Sequence, residues 1–237
     1  MSRPYTTAAK LYDRAYADKD YRGEAGKVVR LVDRRIPWAS TLLDVGCGAG
    51  RHLLHLADRF EVAGVDNSSE ILAIARDRLD VPLFRADMVE MDLGRRYDVV
   101  TCLFSGIGYV RPLDRLHAAV ANLARHASPG GLVIVEPWVT PSTWRRDDVD
   151  VQQAEDRSWV RMSAAKRRGS TSFLDMHWLV AETWGVEHHS ERHTLELYTV
   201  EQYRSAFEEA GMAVEYDPEG LIGRGLMIGT VPGDPSG

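Results

Sequence analysis

Cysteine is scarce in this chain, and the spacing that a disulfide or metal framework needs is missing. Of 237 residues only Cys47 and Cys102 are cysteines, each in an apolar, strand-like run. They read as buried, unpaired thiols, and no metal is expected. No apolar run approaches the ~20 residues of a membrane span. The N-terminal Met1-Ser2-Arg3-Pro4 lacks the apolar core of a signal peptide, so a soluble, cytoplasmic protein that engages no membrane is expected. Positive charge is short as well. Lys and Arg number 29 against 35 Asp and Glu, a formal net charge of −6. That balance argues against a broad basic face for nucleic acid. The one basic cluster, Lys166-Arg167-Arg168, adjoins Gly169-Ser170 and reads as a solvated hairpin tip. There is no internal repeat. The 44% of hydrophobic residues suffices for a sizeable core, and the length suits one domain with an elaboration.

The most informative stretch is Thr41-Leu42-Leu43-Asp44-Val45-Gly46-Cys47-Gly48-Ala49-Gly50. A short apolar run ends near an acid, glycines follow at alternate positions, and an amphipathic run, Arg51–Phe60, comes next. This reads as a buried strand, a tight turn and a helix start. Such a turn lets a ligand approach the backbone, and a helix N-terminus offers free N–H groups to a negative group. The third glycine comes one position too early for the dinucleotide pattern G-x-G-x-x-G, which counts against a nicotinamide cofactor.

From Ser40 to Glu136 strand-like and helix-like runs alternate. Strands are read at Thr41–Val45, Glu61–Val65, Leu83–Arg85, Tyr97–Phe104 and Leu132–Val135. Helices are read at Arg51–Arg59, from a cap at Ser68/Ser69 with Glu70 to Leu79, and over Pro112–His126. The last carries Leu113, Leu116, Val120 and Leu123 on one side and is stopped by Ser128-Pro129-Gly130-Gly131. Fully apolar strands between helices mean a doubly wound parallel sheet covered on both faces. Between Val149 and Leu197 the pattern becomes polar/apolar at period two, with turns near Gly169 and Gly185, as in an antiparallel meander. A helix from Thr199 to Gly211 and two closing strands, Met212–Tyr216 and Gly225–Val231, complete the chain. The expected organisation is an N-terminal helical cap (1–39), an α/β core (40–140 with 198–231), an inserted antiparallel sheet (141–197) for cover and dimerisation, and a disordered tail (232–237).

Ligands of open α/β sheets bind beyond the carboxyl ends of the strands. Asp44, Asp66 and Asp87 all stand at such ends. Asp66 follows Asp44 by roughly the 20 residues at which a ribose-binding acid belongs. Any one of these acids is as well explained by a helix cap or a turn, but three in succession are not. Asp87, followed by Met88, discriminates: a site that grips adenine through its exocyclic amine uses an acid there, and a nicotinamide site has no standard need for one.

Together these residues resemble the class I S-adenosylmethionine-dependent methyltransferases. Asp44-Val45-Gly46-Cys47-Gly48-Ala49-Gly50 matches their first motif, Asp66 their ribose acid and Asp87-Met88 their adenine pair. The resemblance implies a Rossmann-like sheet of seven strands, the last inserted antiparallel, and S-adenosylmethionine as cofactor. Phe104-Ser105-Gly106-Ile107-Gly108-Tyr109, Val135-Glu136-Pro137-Trp138, His188-His189-Ser190-Glu191-Arg192-His193 and Gly223-Arg224-Gly225-Leu226 are similar to a narrower group. These are the bacterial N,N-dimethyltransferases of dTDP-linked amino sugars in natural-product biosynthesis, of the desosamine and mycaminose type. That likeness implies a homodimer acting on a nucleotide sugar. It also implies cofactor contacts from Tyr12, Asp44, Gly46, Gly48, Asp66, Asp87, Met88 and Leu103. The sugar nucleotide would meet Tyr5, Tyr21, Trp138 and Arg224, and Tyr109 would lie at the acceptor nitrogen.

The residues support part of this on their own. A sulfonium methyl is already activated, so its transfer to a neutral amine needs alignment more than covalent help. A phenol at Tyr109 orients the amine well and, with an ordinary pKa of about 10, abstracts protons poorly. Arg224 between glycines suits a bidentate pyrophosphate contact. Glu136 reads as structural, buried and paired, with service to the acceptor as the alternative, and Trp144 as a packing residue or a sugar platform. His177, His188, His189 and His193 fall in the meander without metal spacing, and a base role for one of them stays open; His117 reads as structural. Two departures from the narrower group, Val139-Thr140 after Trp138 and Asp66 where relatives tend to have Glu, point to a different sugar, such as a 4-amino isomer. Alternatives are an O- or C-methyltransferase with the same cofactor, a non-enzymatic cofactor-binding scaffold and, last, an NAD-dependent enzyme.

Overall fold

The computed structural model describes residues 9–145, 149–154 and 158–233. In chain order the elements are α1 (Ala9–Ala15), α2 (Tyr21–Arg35), β1 (Thr41–Val45), α3 (Arg51–Leu56), β2 (Glu61–Asp66), α4 (Ser69–Arg78), β3 (Leu83–Arg85), β4 (Tyr97–Cys102), α5 (Leu113–Arg125) and β5 (Ala127–Val135). Four strands follow, β6 (Val149–Gln153), β7 (Trp159–Arg168), β8 (Thr171–Glu182) and β9 (Gly185–Glu196). The chain closes with α6 (Val200–Glu209), β10 (Ala213–Asp217) and β11 (Leu226–Thr230).

Seven strands form the main sheet in the order β10-β11-β5-β4-β1-β2-β3. All its neighbours pair in parallel except β11, which runs antiparallel to both β10 and β5. The doubly wound class and the inserted antiparallel strand are therefore present. β1 is central because its side chains are apolar on both faces. Leu42, Leu43 and Val45 are fully buried, and neighbours in sequence enter opposite layers. Leu43 and Val45 join Leu116, Val120, Leu123, Tyr203 and Phe207 under α5 and α6. Leu42 joins Val28, Val32, Leu53, Leu56 and Leu72 under α2, α3 and α4. Each such side chain contributes about 1.5–3 kcal/mol through burial. The chain leaves β1 toward β2 on one side and returns through β4 on the other, so the sheet's switch point opens beyond the ends of β1 and β4.

Caps set several helix starts. Ser68 Oγ accepts from the Ile71 N–H at 3.2 Å to open α4. Thr199 and Gln202 exchange bonds as a capping box to open α6.

Boundaries depart from expectation where tertiary packing overrides local pattern. α3 stops at Leu56 and not at Arg59, whose guanidinium instead donates to the Ala39 carbonyl at 2.9 Å. Leu113 is 37% exposed, so the buried stripe of α5 is Leu116, Val120 and Leu123 without it. Ser128-Pro129-Gly130-Gly131 does not separate α5 from the next strand. It lies inside β5 as an irregularity, where pairing passes from Tyr97↔Ala127 to Val99↔Leu132.

The meander has four strands, β6-β7-β8-β9, with turns at the two glycine positions read from the sequence. Trp159, Met176, Trp178 and Val180 form the cluster of its inner face, and Leu11 and Ala15 of α1 pack against them. Arg161 donates to the Tyr16 hydroxyl at 2.9 Å, fastening the end of α1 to the same sheet. Of the stretch 1–39 expected as a helical cap, α1 lies between the meander and the core, whereas α2 packs into the core beneath the main sheet. Among the described residues no helix is long and apolar enough to cross a membrane. Residues 234–237 of the predicted tail lie outside the described set.

Candidate active site

A cavity of about 820 Å³ lies beyond the ends of β1, β2 and β4, roofed by α1 and by β9. Its floor is the glycine turn. Gly46, Gly48 and Gly50 have φ of +75°, +56° and +74°, the left-handed region that other residues enter at a cost. A Cβ at Gly48 would meet nothing within 4 Å, so the backbone there faces open space. The turn differs from expectation in one respect. The N–H groups of Gly46 and Cys47 both donate to the Val65 carbonyl, at 2.7 and 2.9 Å, and the Gly48 N–H donates to Asp66 Oδ2 at 3.0 Å. These donors tie the loop to β2 and are not offered to an anion. The turn shapes the site, and the acids carry its charge.

Asp44 is 2% exposed, and its Oδ1 accepts a hydrogen bond from the Thr101 hydroxyl at 2.7 Å. Burial, reinforced by the negative charge of Asp66 and opposed by that hydrogen bond, pushes its carboxyl up to about 7. Asp66 accepts from the Ser68 N–H with Oδ1 at 2.9 Å and from Gly48 with Oδ2. Its carboxyl is raised by burial, against the pull of these backbone donors. Each oxygen keeps a lone pair, so two further hydroxyl donors can still be accepted. Asp87 accepts the Val89 N–H at 2.9 Å and faces Arg115 at 3.4 Å.

Two networks, one half-buried and one buried about Glu24 and His52, hold the walls. Asp13 of α1 accepts from Arg51 at 2.7 Å and from Arg78 at 3.0 Å, and Arg78 also donates to the Ala49 carbonyl. This clamps α1 onto the glycine turn. Glu24 accepts from Lys19 and lies 2.8 Å from His52 Nε2. Burial holds His52 below the ordinary imidazole value despite Glu24, so the neutral ring donates to the carboxylate. Lys19 Nζ stands 4.3 Å over the Tyr21 ring and 4.5 Å over that of Phe104.

The far wall follows β4. Phe104 and Ser105 have φ of +51° and +66°, strained for residues with side chains. Glu136, fully buried, braces them by accepting the Phe104 N–H with Oε2 at 2.6 Å; Ser105 Oγ donates to the Pro137 carbonyl at 3.0 Å. Burial raises the Glu136 carboxyl, and Arg224 opposes the rise. Glu136 Oε1 and Trp138 Nε1 are buried without a partner among the described residues. A 3-10 turn, Gly106–Tyr109, then presents Tyr109, whose hydroxyl lies 2.8 Å from His193 Nδ1 on β9.

The structure brings Tyr12, Tyr21, Asp44, Gly46, Gly48, Asp66, Asp87, Met88, Leu103 and Tyr109 to this one cavity. Trp138 and Arg224 are not on its wall. Arg224 lies one layer back, 5.4 Å from the Phe104 ring and 5.0 Å from that of Trp138, donating to Ser105 Oγ at 2.9 Å. The glycines beside it differ in purpose: a Cβ at Gly225 would fall 2.4 Å from the Tyr216 hydroxyl, whereas Gly223 has open space. Tyr5 lies outside the described residues. Trp144 bonds Ser172 and takes no part in the cavity wall, and His117 pairs with Glu209. Sequence reasoning missed His193 as a cavity residue. The signal was there in its period-two alignment with the apolar Leu195 and Leu197, but not in a form that showed which face was buried. Among the described residues no cluster of three or more His, Cys, Asp or Glu is arranged to hold a metal ion.

A methyltransferase-domain family profile matches residues 42–131. The chain is 43% identical to the dTDP-3-amino-3,6-dideoxy-alpha-D-glucopyranose N,N-dimethyltransferase of Streptomyces fradiae, over 95% of this chain and 91% of that one. It is 38% identical to the dTDP-4-amino-2,3,4,6-tetradeoxy-D-glucose N,N-dimethyltransferase of Saccharopolyspora spinosa, over 93% and 91%. Its fold is similar to that of an S-adenosylmethionine-bound amino pentose methyltransferase from Micromonospora echinaspora involved in calicheamicin biosynthesis. The TM-score is 0.85 and the identity 34%, over 97% of this chain and 99% of that one.

Proposed function

The chain belongs to the class I S-adenosylmethionine-dependent methyltransferases and, within them, to the family of dTDP-amino-sugar N,N-dimethyltransferases; from that premise we propose that it methylates, twice, the amino group of a dTDP-linked deoxy amino sugar. The observation that carries the reading is a single cavity with three strand-end acids along one side and Tyr109 on the other. The residues fit the cofactor, since Asp66 keeps two lone pairs for ribose hydroxyls and Gly48 leaves its side of the floor open. When bound, S-adenosylmethionine supplies an electrophilic methyl on a sulfonium.

The chain's own residues do the rest. Asp87 and Met88 would border the adenine, Asp44 with the glycine turn would face the cationic amino-acid end, and Tyr12 and Leu103 would complete the cofactor's walls. Tyr109 holds the acceptor nitrogen in line by a hydrogen bond, and such alignment supplies much of the rate in a transfer of this kind. In this proposal the nucleotide sugar would be held by Tyr21 on the cavity wall and by Arg224, which with Trp138 lies behind Phe104, while Tyr5 is outside the described residues. Arg224 spends one N–H on Ser105 and keeps others for phosphate oxygens. Reorientation of Phe104 would bring this arginine to the cavity. A hydroxyl acceptor is the second reading, favoured by the Tyr109–His193 contact because a hydroxyl must lose its proton.

Incubation of protein and cofactor with 3-amino and 4-amino dTDP-sugars, and with their hydroxyl counterparts, tests both. Gain of two methyl masses on an amino sugar is expected. Methylation confined to hydroxyl sugars, or none at all, refutes the amine assignment. The chain also forms a homodimer in this proposal, through the outer face of the meander. Val151, Met162, Leu179 and Val186 share that face by register and are 61%, 50%, 50% and 69% exposed. Light scattering of wild type against Met162→Lys/Leu179→Lys would read the change from dimer to monomer.

A further inference from the structure

Methylating one nitrogen twice leaves a proton to be moved. As the nitrogen lone pair forms the N–C bond, the S–C bond breaks with its electron pair on sulfur, and the nitrogen becomes a charged ammonium. It cannot attack again until an N–H proton leaves. Tyr109 alone is a poor destination, since a phenol's ordinary pKa is about 10. Behind it, however, stands an imidazole, whose ordinary pKa of about 6.5 matches a base working near neutrality.

His193 is 1% exposed and lies on the cavity wall with Nδ1 2.8 Å from the Tyr109 hydroxyl. Its other nitrogen, Nε2, lies 3.4 Å from Glu191 Oε2, a charge contact without hydrogen-bond geometry, and the Glu191 side chain is only 10% exposed. Glu191 and His193 are two apart on β9 and so share its inner face. Among the described residues, the groups that approach His193 include Tyr109 from the 3-10 turn, Glu191 from its own strand and Leu174 opposite on β8. Arg192, next to His193 in sequence, also borders the cavity and pairs with Asp175 opposite it on β8.

We propose that Tyr109, His193 and Glu191 form a proton relay that carries the acceptor amine's proton out of the cavity. The Tyr109 oxygen accepts the N–H proton while its own proton passes to His193 Nδ1. The imidazolium so formed is balanced by the Glu191 carboxylate at Nε2, the amine is left neutral, and the imidazolium returns its proton to solvent when product leaves. Tyr109 is the residue that touches substrate; His193 and Glu191 act through it. The inference rests on the amine-acceptor reading given above.

The test compares wild type, Tyr109→Phe, His193→Asn and the double variant on a dTDP-amino sugar. Each single change should slow turnover roughly 10²-fold at neutral pH, the low end for a positioned base. The double variant should be no slower than the slower single. The deficit should shrink as pH rises and the amine deprotonates unaided, and monomethylated product should accumulate. Calorimetry with S-adenosylhomocysteine checks that the site is intact; where His193→Asn fails to fold, Glu191→Gln replaces it. Losses that multiply in the double variant, or a deficit independent of pH, overturn the relay. A second arm needs no turnover: the His193 imidazole nitrogen resonances should move in Tyr109→Phe and in Glu191→Gln, and unmoved resonances also overturn it. Wild type that methylates no amino sugar refutes the acceptor reading instead, and the resonances then judge the relay alone.

Discussion

Cofactor binding should release a proton, and Asp44 is its source. In the free protein burial lifts this carboxyl to about 7, so at pH 6 it is mostly protonated. The cationic end of bound cofactor favours the ionised form, and binding then expels about 0.9 proton at pH 6 but only about 0.1 at pH 8. The apparent Kd should rise about tenfold per unit of pH below that carboxyl's pKa and flatten above it. Calorimetry with S-adenosylhomocysteine, in buffers of different ionisation enthalpy, reads the proton count directly. The cofactor's own amine, with an ordinary pKa near 7.7–8.0, takes up protons above neutrality. Asp44→Asn is therefore the reference that isolates the carboxyl, and it should bind about 10–100-fold more weakly through loss of a charged hydrogen bond. Stability has the opposite sign. Because the folded value lies above the ordinary 3.8, free protein loses stability as pH climbs from about 4 to about 7, by at most ~4 kcal/mol. Ligand-free Asp44→Asn should accordingly melt no lower than wild type at pH 8 while binding worse. Equal proton release at pH 6 in the two proteins, or an affinity flat from pH 5 to 8, would refute the argument.

Asp66→Asn should cost about 1.5–3 kcal/mol of cofactor affinity by calorimetry, because one oxygen that holds the Gly48 N–H and faces the ribose becomes a donor. Gly48→Ala meets no atom within 4 Å, so its damage should be backbone strain alone, of about 1–2 kcal/mol. Gly225→Ala should lower Tm further than Gly48→Ala does, since a Cβ there strikes Tyr216; the reverse order would refute both explanations. Glu136→Ala removes the acceptor for the strained Phe104 N–H and should cost about 1–3 kcal/mol in denaturant unfolding. It should also reduce turnover, because Tyr109 follows on the same loop.

Strand-end acids and the glycine turn were legible because they obey local rules. Apolar runs such as Leu42–Val45 bury on both faces wherever they lie, a left-handed turn demands glycine, and the cap at Thr199 needs only its own neighbours. The core strands and the Asp44, Asp66, Asp87 series follow from such rules. The helix end at Arg59 and the supposed stop at Ser128–Gly131 were misread for the converse reason. Arg59 is drawn to the distant Ala39 carbonyl, and the glycines are absorbed into pairing with β4.

Composition and pattern alone were enough to specify a doubly wound sheet, its ligand edge and a nucleoside-type cofactor, because periodicity and backbone stereochemistry act within a few residues of chain. Three features depended on the folded whole. Arg224 lies behind Phe104, although its flanking glycines suggested an open groove. The turn's N–H groups are consumed by Val65 and Asp66, 19 or so residues away in sequence but adjacent in the sheet. Tyr109 meets His193 across 84 residues. No spacing encodes that last contact, since it exists only where a sheet inserted after the core folds back over the core's own active edge.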